Sequence, residues 1–263
     1  MDSYIICTTP RTGSTLLCDL LASTNIAGKP DSFFMSDIDP TWAQQLGFPL
    51  GPELSAADYG AAYLKAAITA GKGETGIFGL RLMRKDLGGL SALIDAVIPR
   101  LRSDKDRLQA AFGKILYIHL TRQDKLAQAV SMIKAEQTGL WHVAPDGSEL
   151  ERLAPPKEPV YDFDKIARKT AELEQYDTAW RTWFAEQGLE PLHIDYESLS
   201  ADPVEAVSGI CKGLGLPEPS SGILKAGVAK LADATSQEWM RKYRRALDQR
   251  DALKTSPAVS QPH

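Results

Sequence analysis

The chain has 263 residues, with 30 Lys and Arg against 34 Asp and Glu and a formal net charge of −4. With 43% hydrophobic and 24% charged residues, its composition is ordinarily globular, and it can bury a core without metals or disulfides. The mild acidity argues against a nucleic-acid coat protein, and no apolar run reaches the roughly 18–20 residues of a membrane span.

The N-terminal stretch MDSYIICTTPRTGST has no basic n-region and turns polar after Cys7, which is not the pattern of a secretory signal. Tyr4–Cys7 is a short apolar run without alternation, as expected of a strand buried on both faces. A Pro- and Gly-containing turn follows. A helix is then expected over Ser14–Leu21, with Ser14 or Thr15 as its cap. Residues 24–53 are rich in Gly, Pro, Asp and Phe and read as a long irregular loop. Ala56–Ala70 is the next helix, and Ile77–Met83 and Lys114–Thr121 are the second and third strands. Asp124–Thr138 reads as a helix with Leu126, Val130 and Ile133 on one side. Phe163–Gln187 is a long amphipathic helix, with Ile166, Leu173, Tyr176, Trp180 and Phe184 in helical spacing. Pro191–Tyr196 gives a fourth strand and Val204–Leu214 a further helix.

Strand and helix alternate, which predicts a mainly parallel sheet with helices on both faces. One domain over residues 1–254 is expected, with a Pro- and Ser-rich tail from Thr255 to His263 that frays. Cys7, Cys18 and Cys211 contain no CxxC pair, so neither a disulfide framework nor a zinc site is indicated. Cys7 and Cys18 fall in core elements and should be inert.

The segment Thr9-Pro10-Arg11-Thr12-Gly13-Ser14-Thr15 carries the most chemistry. A strand ends, a turn follows, and a helix opens, which presents backbone N–H groups and a positive helix end to an anion. Arg11 adds a planar cation, and Ser14 and Thr15 add donors, so a phosphate or sulfate group is the natural guest. The turn lacks the Lys of the pattern GxxxxGK[ST], which weighs against a P-loop kinase. A plain helix cap beside a surface Arg is the bland alternative.

These residues resemble the 5′-phosphosulfate loop, T-x-P-R/K-S-G-S/T-T, of sulfotransferases that use 3′-phosphoadenosine 5′-phosphosulfate (PAPS). Arg122 at a strand end, followed by Ser131 on the next helix, is similar to that family's 3′-phosphate site. Asp195-Tyr196-Glu197-Ser198-Leu199, then Asp202-Pro203, resembles its Y-E-x-L…D-P segment. Among subfamilies the bacterial trehalose 2-sulfotransferase group is most similar. Its G-x-P-x-x-F-F segment is matched by Gly28-Lys29-Pro30-Asp31-Ser32-Phe33-Phe34, and its R-A/Q-D-K-x-x-Q-A-V-S run by Arg122–Ser131. Trp141-His142 and Trp183–Glu186 fit the same group, so the matches run from about residue 4 to residue 203.

The resemblance implies a P-loop-like sulfotransferase fold and transfer of a sulfonate group from PAPS to a carbohydrate or glycolipid hydroxyl. Trehalose-like, lipopolysaccharide and oligosaccharide acceptors all fit. Pro10, Arg11, Thr12, Gly13, Ser14 and Thr15, with Arg122 and Ser131, are then the donor site. Pro10, Lys29, Asp31, Ser32 and Phe33 are the acceptor site. No metal, nucleic acid or membrane span is expected. A homodimer in the cytoplasm, where the donor is made, is.

The trehalose enzymes resemble one another in placing a Glu just before the Phe-Phe pair and another before the Pro. Here Ser32 and Lys29 stand instead. The candidate bases are therefore Asp31 and, in an expected loop beside Trp141, His142. His119 and His193 read as packed strand residues, and Trp180, Trp183 and Phe184 as core or subunit contact. The basic stretch Trp239–Arg245 is either a solvated helix face or a set of cations closing over the 3′-phosphate. Two other readings remain: a P-loop small-molecule kinase, and a non-catalytic paralogue that binds the nucleotide without turnover.

Overall fold

A computed structural model describes residues 1–35, 46–47, 55–219, 222, 224–228 and 233–255, the last five by backbone alone. Parts of the expected acceptor loop (36–45 and 48–54) and of the expected tail (256–263) lie outside the described residues. The chain divides into two compact units, residues 1–123 with 174–228, and residues 124–173 with 229–263.

The first unit is organised by four parallel strands: β1 (Ser3–Thr8), β2 (Phe78–Met83), β3 (Ile115–Thr121) and β6 (Leu192–Asp195), in the order β2-β1-β3-β6. Every residue of β1 is buried, which explains its unbroken apolar run. Ile5, Cys7, Leu80 and Leu82 enter one core together with Phe78, Trp180 and Phe184. Tyr4, Ile6, Ile118 and Leu120 enter another with Leu17, Leu21 and Ile210. Sheet residues of alternate parity therefore feed two layers of helix, as anticipated.

Helices form where local caps allow. Helix α1 (Ser14–Ser23) follows β1. Ser55 accepts from the Asp58 N–H at the start of α2 (Ala56–Lys72). Two helices not expected from the sequence follow β2, α3 (Leu87–Val97) and α4 (Asp104–Phe112), the latter capped by Ser103. The Gly88-Gly89 pair disguised α3, although Leu87, Leu90 and Ile94 are spaced to bury one stripe.

The second unit holds α5 (Lys125–Thr138), capped by Asp124, and an antiparallel hairpin of β4 (Leu140–Val143) and β5 (Glu149–Arg152). The opening turns of α6 (Phe163–Glu186) and helix α9 (Ala234–Thr255) complete it. Val130, Ile133, Ile166, Trp239 and Tyr243 form its core. Back in the first unit, β6 leads into α7 (Tyr196–Ala201) and α8 (Pro203–Leu214), capped by Asp195 and Asp202.

Three local expectations are corrected. Trp141-His142 lies in strand β4, not in a loop. His193 is exposed rather than packed, because β6 is the outer strand of the sheet and has a neighbour on one side only. His119, in contrast, is buried, with its ring 5.4 Å from that of Phe184. Neither Ser14 nor Thr15 is the N-cap of α1: Gly13 occupies that position in the left-handed region and has no side chain with which to cap the helix.

Candidate active site

The β1–α1 turn is held from below by threonines. Thr8, Thr9 and Thr12 are fully buried. The Thr8 hydroxyl donates to the Leu120 carbonyl at 2.8 Å and lies 2.6 Å from the Thr12 hydroxyl, which in turn lies 3.0 Å from the Thr9 carbonyl. The Trp180 indole N–H, from α6, donates to the Thr8 carbonyl at 2.9 Å. Inward-facing hydroxyls thus anchor the turn to the sheet, and its backbone is shaped by two left-handed residues, Arg11 (φ 65°) and Gly13 (φ 78°). A left-handed Arg is a strained choice that the surroundings must enforce. With Ser14 buried and a glycine at the N-cap, the opening of α1 is a positive helix end of the kind that takes an anion.

Gly13 is required twice over. Besides its φ, a Cβ there would lie 2.6 Å from Cδ2 of Tyr196 and 3.0 Å from Cε2. That ring also meets Arg122, whose guanidinium carbon lies 4.5 Å from the ring centroid. Arg122 Nη1 donates to the Arg11 carbonyl at 3.3 Å, while its buried Nε has no hydrogen-bond partner among the described residues. The Gln123 N–H, one residue on, donates to Glu197 at 3.1 Å. The Tyr196-Glu197 pair singled out in the sequence therefore ties the end of β3 to the β1–α1 turn.

The segment expected from the sequence to take the acceptor is stitched to β2. Gly28 (φ 77°) passes so close to the Ile77 and Gly71 carbonyls that a Cβ would sit 2.4 and 2.6 Å from them. The Lys29 N–H donates to the Gly71 carbonyl at 2.8 Å, and the Lys29 side chain lies along Gly73. Asp31 makes a parallel bridge with Leu80, its carbonyl accepting from the Arg81 N–H at 3.0 Å. Ser32 is buried, and so is Phe33, whose ring faces Phe78 at 6.3 Å in the core. Of this segment's expected acceptor residues, Lys29 is exposed and Asp31 half-buried.

Two arginines of β2 and its end went unnoticed in the sequence. Arg81 donates through Nε to Ser32 Oγ (2.8 Å), through Nη1 to Thr15 Oγ1 (2.8 Å) and through Nη2 to Asp31 Oδ1 (3.1 Å). Its only signal was a lone cation within the apolar run FGLRLM. Arg84 lies over the Trp180 ring at 5.6 Å, with a buried Nε that has no hydrogen-bond partner among the described residues. Burial pushes the Cys7 thiol up while the Arg84 charge pulls the other way, and burial pushes Cys18 up to about 12. Both thiols are buried and free, as anticipated.

Ser131, on α5, and His142, on β4, belong to the second unit. Ser131 is half-buried, and His142 Nδ1 lies 2.5 Å from Glu151 Oε2 across the hairpin. In the basic stretch of α9, Trp239 and Tyr243 point into that unit's core, whereas Lys242 pairs with Glu238 at 2.6 Å and Arg244 with Asp124 at 3.9 Å. Among the described residues, no helix is long and apolar enough to cross a membrane, and no three His, Cys, Asp or Glu side chains cluster to hold a metal.

An open parallel sheet with a glycine-capped helix start and arginines near the carboxyl ends of neighbouring strands defines an α/β protein whose candidate site carries groups that suit an anion. The chain belongs to the Stf0 sulphotransferase family, whose family model matches residues 3–246. It is 30% identical to the trehalose 2-sulfotransferase of Mycolicibacterium smegmatis, an alignment covering 95% of this chain and 97% of that protein. It is 28% identical to the trehalose 2-sulfotransferase of Mycobacterium tuberculosis, covering 92% and 94%. Similar solved structures include a sulfotransferase from Alicyclobacillus acidocaldarius (12% identity, TM-score 0.44, 95% and 94% covered). Another is the sulfotransferase domain of the Synechococcus PCC 7002 olefin synthase (16%, 0.47, 98% and 90%). Membership bears out the family resemblance and removes the P-loop kinase reading.

Proposed function

We propose that this chain transfers a sulfonate group from PAPS to a hydroxyl of a carbohydrate or glycolipid. The observation that carries the reading is Arg122: it grips the phosphosulfate-type turn through the Arg11 carbonyl while its buried Nε has no hydrogen-bond partner among the described residues. An unmatched buried donor is costly unless a ligand oxygen completes it. In this reading Arg122 and Ser131 take the 3′-phosphate, and the Gly13–Thr15 amides with Arg11 take the phosphosulfate.

The acceptor oxygen attacks sulfur as the bond from sulfur to the bridging oxygen breaks, and the leaving nucleotide carries the new charge on that oxygen. By analogy with phosphoryl transfer the transition state is loose and in line, so placement and charge stabilisation dominate. Arg11 and the start of α1 stabilise the leaving oxygen. Asp31 accepts the hydroxyl proton; His142 is the second candidate base. The relatives' names make trehalose the first acceptor to try, while Lys29 and Ser32 depart from the Glu residues that the resemblance to the trehalose group implies for this segment. A homodimer working in the cytoplasm accompanies this reading.

Transfer of radiolabelled sulfonate from PAPS to trehalose and a panel of saccharides and glycolipids tests it. Arg11→Ala should lower turnover about 10²–10³-fold, the usual loss for one transition-state donor. Asp31→Asn should lower it at least as far, and full activity in both Asp31→Asn and His142→Ala would remove both bases. Tight binding of adenosine 3′,5′-bisphosphate without transfer to any acceptor would favour the non-catalytic paralogue.

A further inference from the structure

We propose that Arg81 is a positioning residue that locks the acceptor segment to the donor turn, so that the two substrate sites are energetically coupled. The inference rests on the donor and acceptor assignments above and adds to them the physical link between them. Arg81 uses all three guanidinium nitrogens, each on a different side chain. Two partners, Asp31 and Ser32, lie in the acceptor segment; the third, Thr15, lies in the first turn of α1. A planar fork with fixed angles can satisfy three acceptors at 2.8–3.1 Å only in one mutual arrangement. The fork is itself held, because β2 is hydrogen-bonded along β1, the strand that leads into the donor turn. The Arg81 side chain is only 16% exposed, so water competes weakly for these bonds.

The same contacts explain why Ser32 can stand where related enzymes carry a carboxylate. Its hydroxyl is buried and accepts from Arg81 Nε, so it fixes the segment and is not presented to a substrate. Asp31 is different. Its Oδ1 takes both the Ser32 N–H (2.7 Å) and Arg81 Nη2 (3.1 Å), and among the described residues Oδ2 has no hydrogen-bond partner. One oxygen is anchored and the other, on a side chain 44% exposed, faces outward to receive a proton. At the far end, the Thr15 oxygen accepts Nη1–H, which turns the Thr15 O–H hydrogen away from Arg81. A donor that orders Thr15 therefore orders Asp31 through one rigid group, and the reverse holds by linkage.

The test is a double-mutant cycle read by calorimetric binding of adenosine 3′,5′-bisphosphate, with folding checked by circular dichroism. Arg81→Met should raise the nucleotide Kd about tenfold, within the usual range for coupled sites. Asp31→Asn, although outside the donor site, should raise it about threefold in the parent and not at all in the Arg81→Met background. Arg81→Lys keeps the charge but not the fork and should fall near Arg81→Met; if Arg81→Met does not fold, the cycle is read with Lys. Additive effects, a Kd unmoved by Asp31→Asn, or full rescue by Lys would overturn the proposal. A parent protein with no measurable affinity for the nucleotide would instead overturn the donor assignment on which the proposal stands.

Discussion

Gly13→Ala separates the two reasons for glycine at the N-cap of α1, and the structure sets the size of each. Left-handed backbone costs a residue with a Cβ about 1–2 kcal/mol. The added methyl would also meet Tyr196 Cδ2 at 2.6 Å and Cε2 at 3.0 Å, so the ring must withdraw. That ring supports Arg122 at 4.5 Å, a contact worth about 0.5–2 kcal/mol. Together these give about 1.5–4 kcal/mol, or a Tm lowered by roughly 3–15 °C for a chain of this size. Thermal unfolding by circular dichroism reads the loss, and nucleotide binding reads displacement of Arg122. In a Tyr196→Leu background the clash is relieved and only the backbone part, about 1–2 kcal/mol, should remain. A Gly13→Ala protein as stable as its parent, or a penalty unchanged by Tyr196→Leu, would refute this description of the turn.

Trp180→Phe keeps the ring in the core but strips the Thr8 carbonyl of its indole donor. It should cost about 1–3 kcal/mol in denaturant melts, and no loss would mean that the bond carries nothing. Cys18 makes a prediction about alkali. Its thiol is held up to about 12 by burial, chiefly, against a usual value near 9.0. The folded state therefore keeps a proton that the unfolded state releases, so the contribution is intact below pH 9 and is lost as pH rises from 9 to 12. Melts at pH 7, 9.5 and 11 should show this decline, reduced in Cys18→Ala; an equal decline in both proteins would exclude Cys18 as a source. Thiol reagents at pH 8 should leave Cys7 and Cys18 unmodified until the protein unfolds, and rapid labelling of the native state would contradict their burial.

What the sequence disclosed and what it hid divide along a physical line. Features whose causes are local were legible: β1 as an apolar run, the turn from Thr9 to Thr15, the helix capped by Asp124. Features whose partners lie far along the chain were not. Arg81 stood in plain view inside FGLRLM, but the residues that satisfy it are 49, 50 and 66 positions away. Tyr196 was noticed as part of a motif, yet its contact with Gly13 needs β1 and β6 to lie in one sheet with β3 between them. His193 looked like a core residue from its apolar flanks. Only the sheet order, with β6 outermost, reveals that one of its sides is uncovered. The resemblance named the right family without disclosing that Phe33 packs inward against Phe78 or that His142 stands on a strand beside Glu151.

The topology also gives the chain's net charge of −4 a different meaning. β2, β1 and β3 are adjacent and parallel, so their carboxyl ends share one edge, the edge where ligands bind in open α/β sheets. Each of the three is followed within three residues by an arginine: Arg84 after Met83, Arg11 after Thr8 and Arg122 after Thr121. Neither Arg84 nor Arg122 has an ion pair among the described residues; each leans on an aromatic ring and keeps a buried Nε unmatched. Cations at a stable surface usually find carboxylates, and this chain has an excess of them. In the function proposed above, guanidinium groups held on indole and phenol faces at this edge await an anion that arrives from outside. A donor with phosphates at two positions and a sulfonate between its ester and the acceptor supplies several such charges at once.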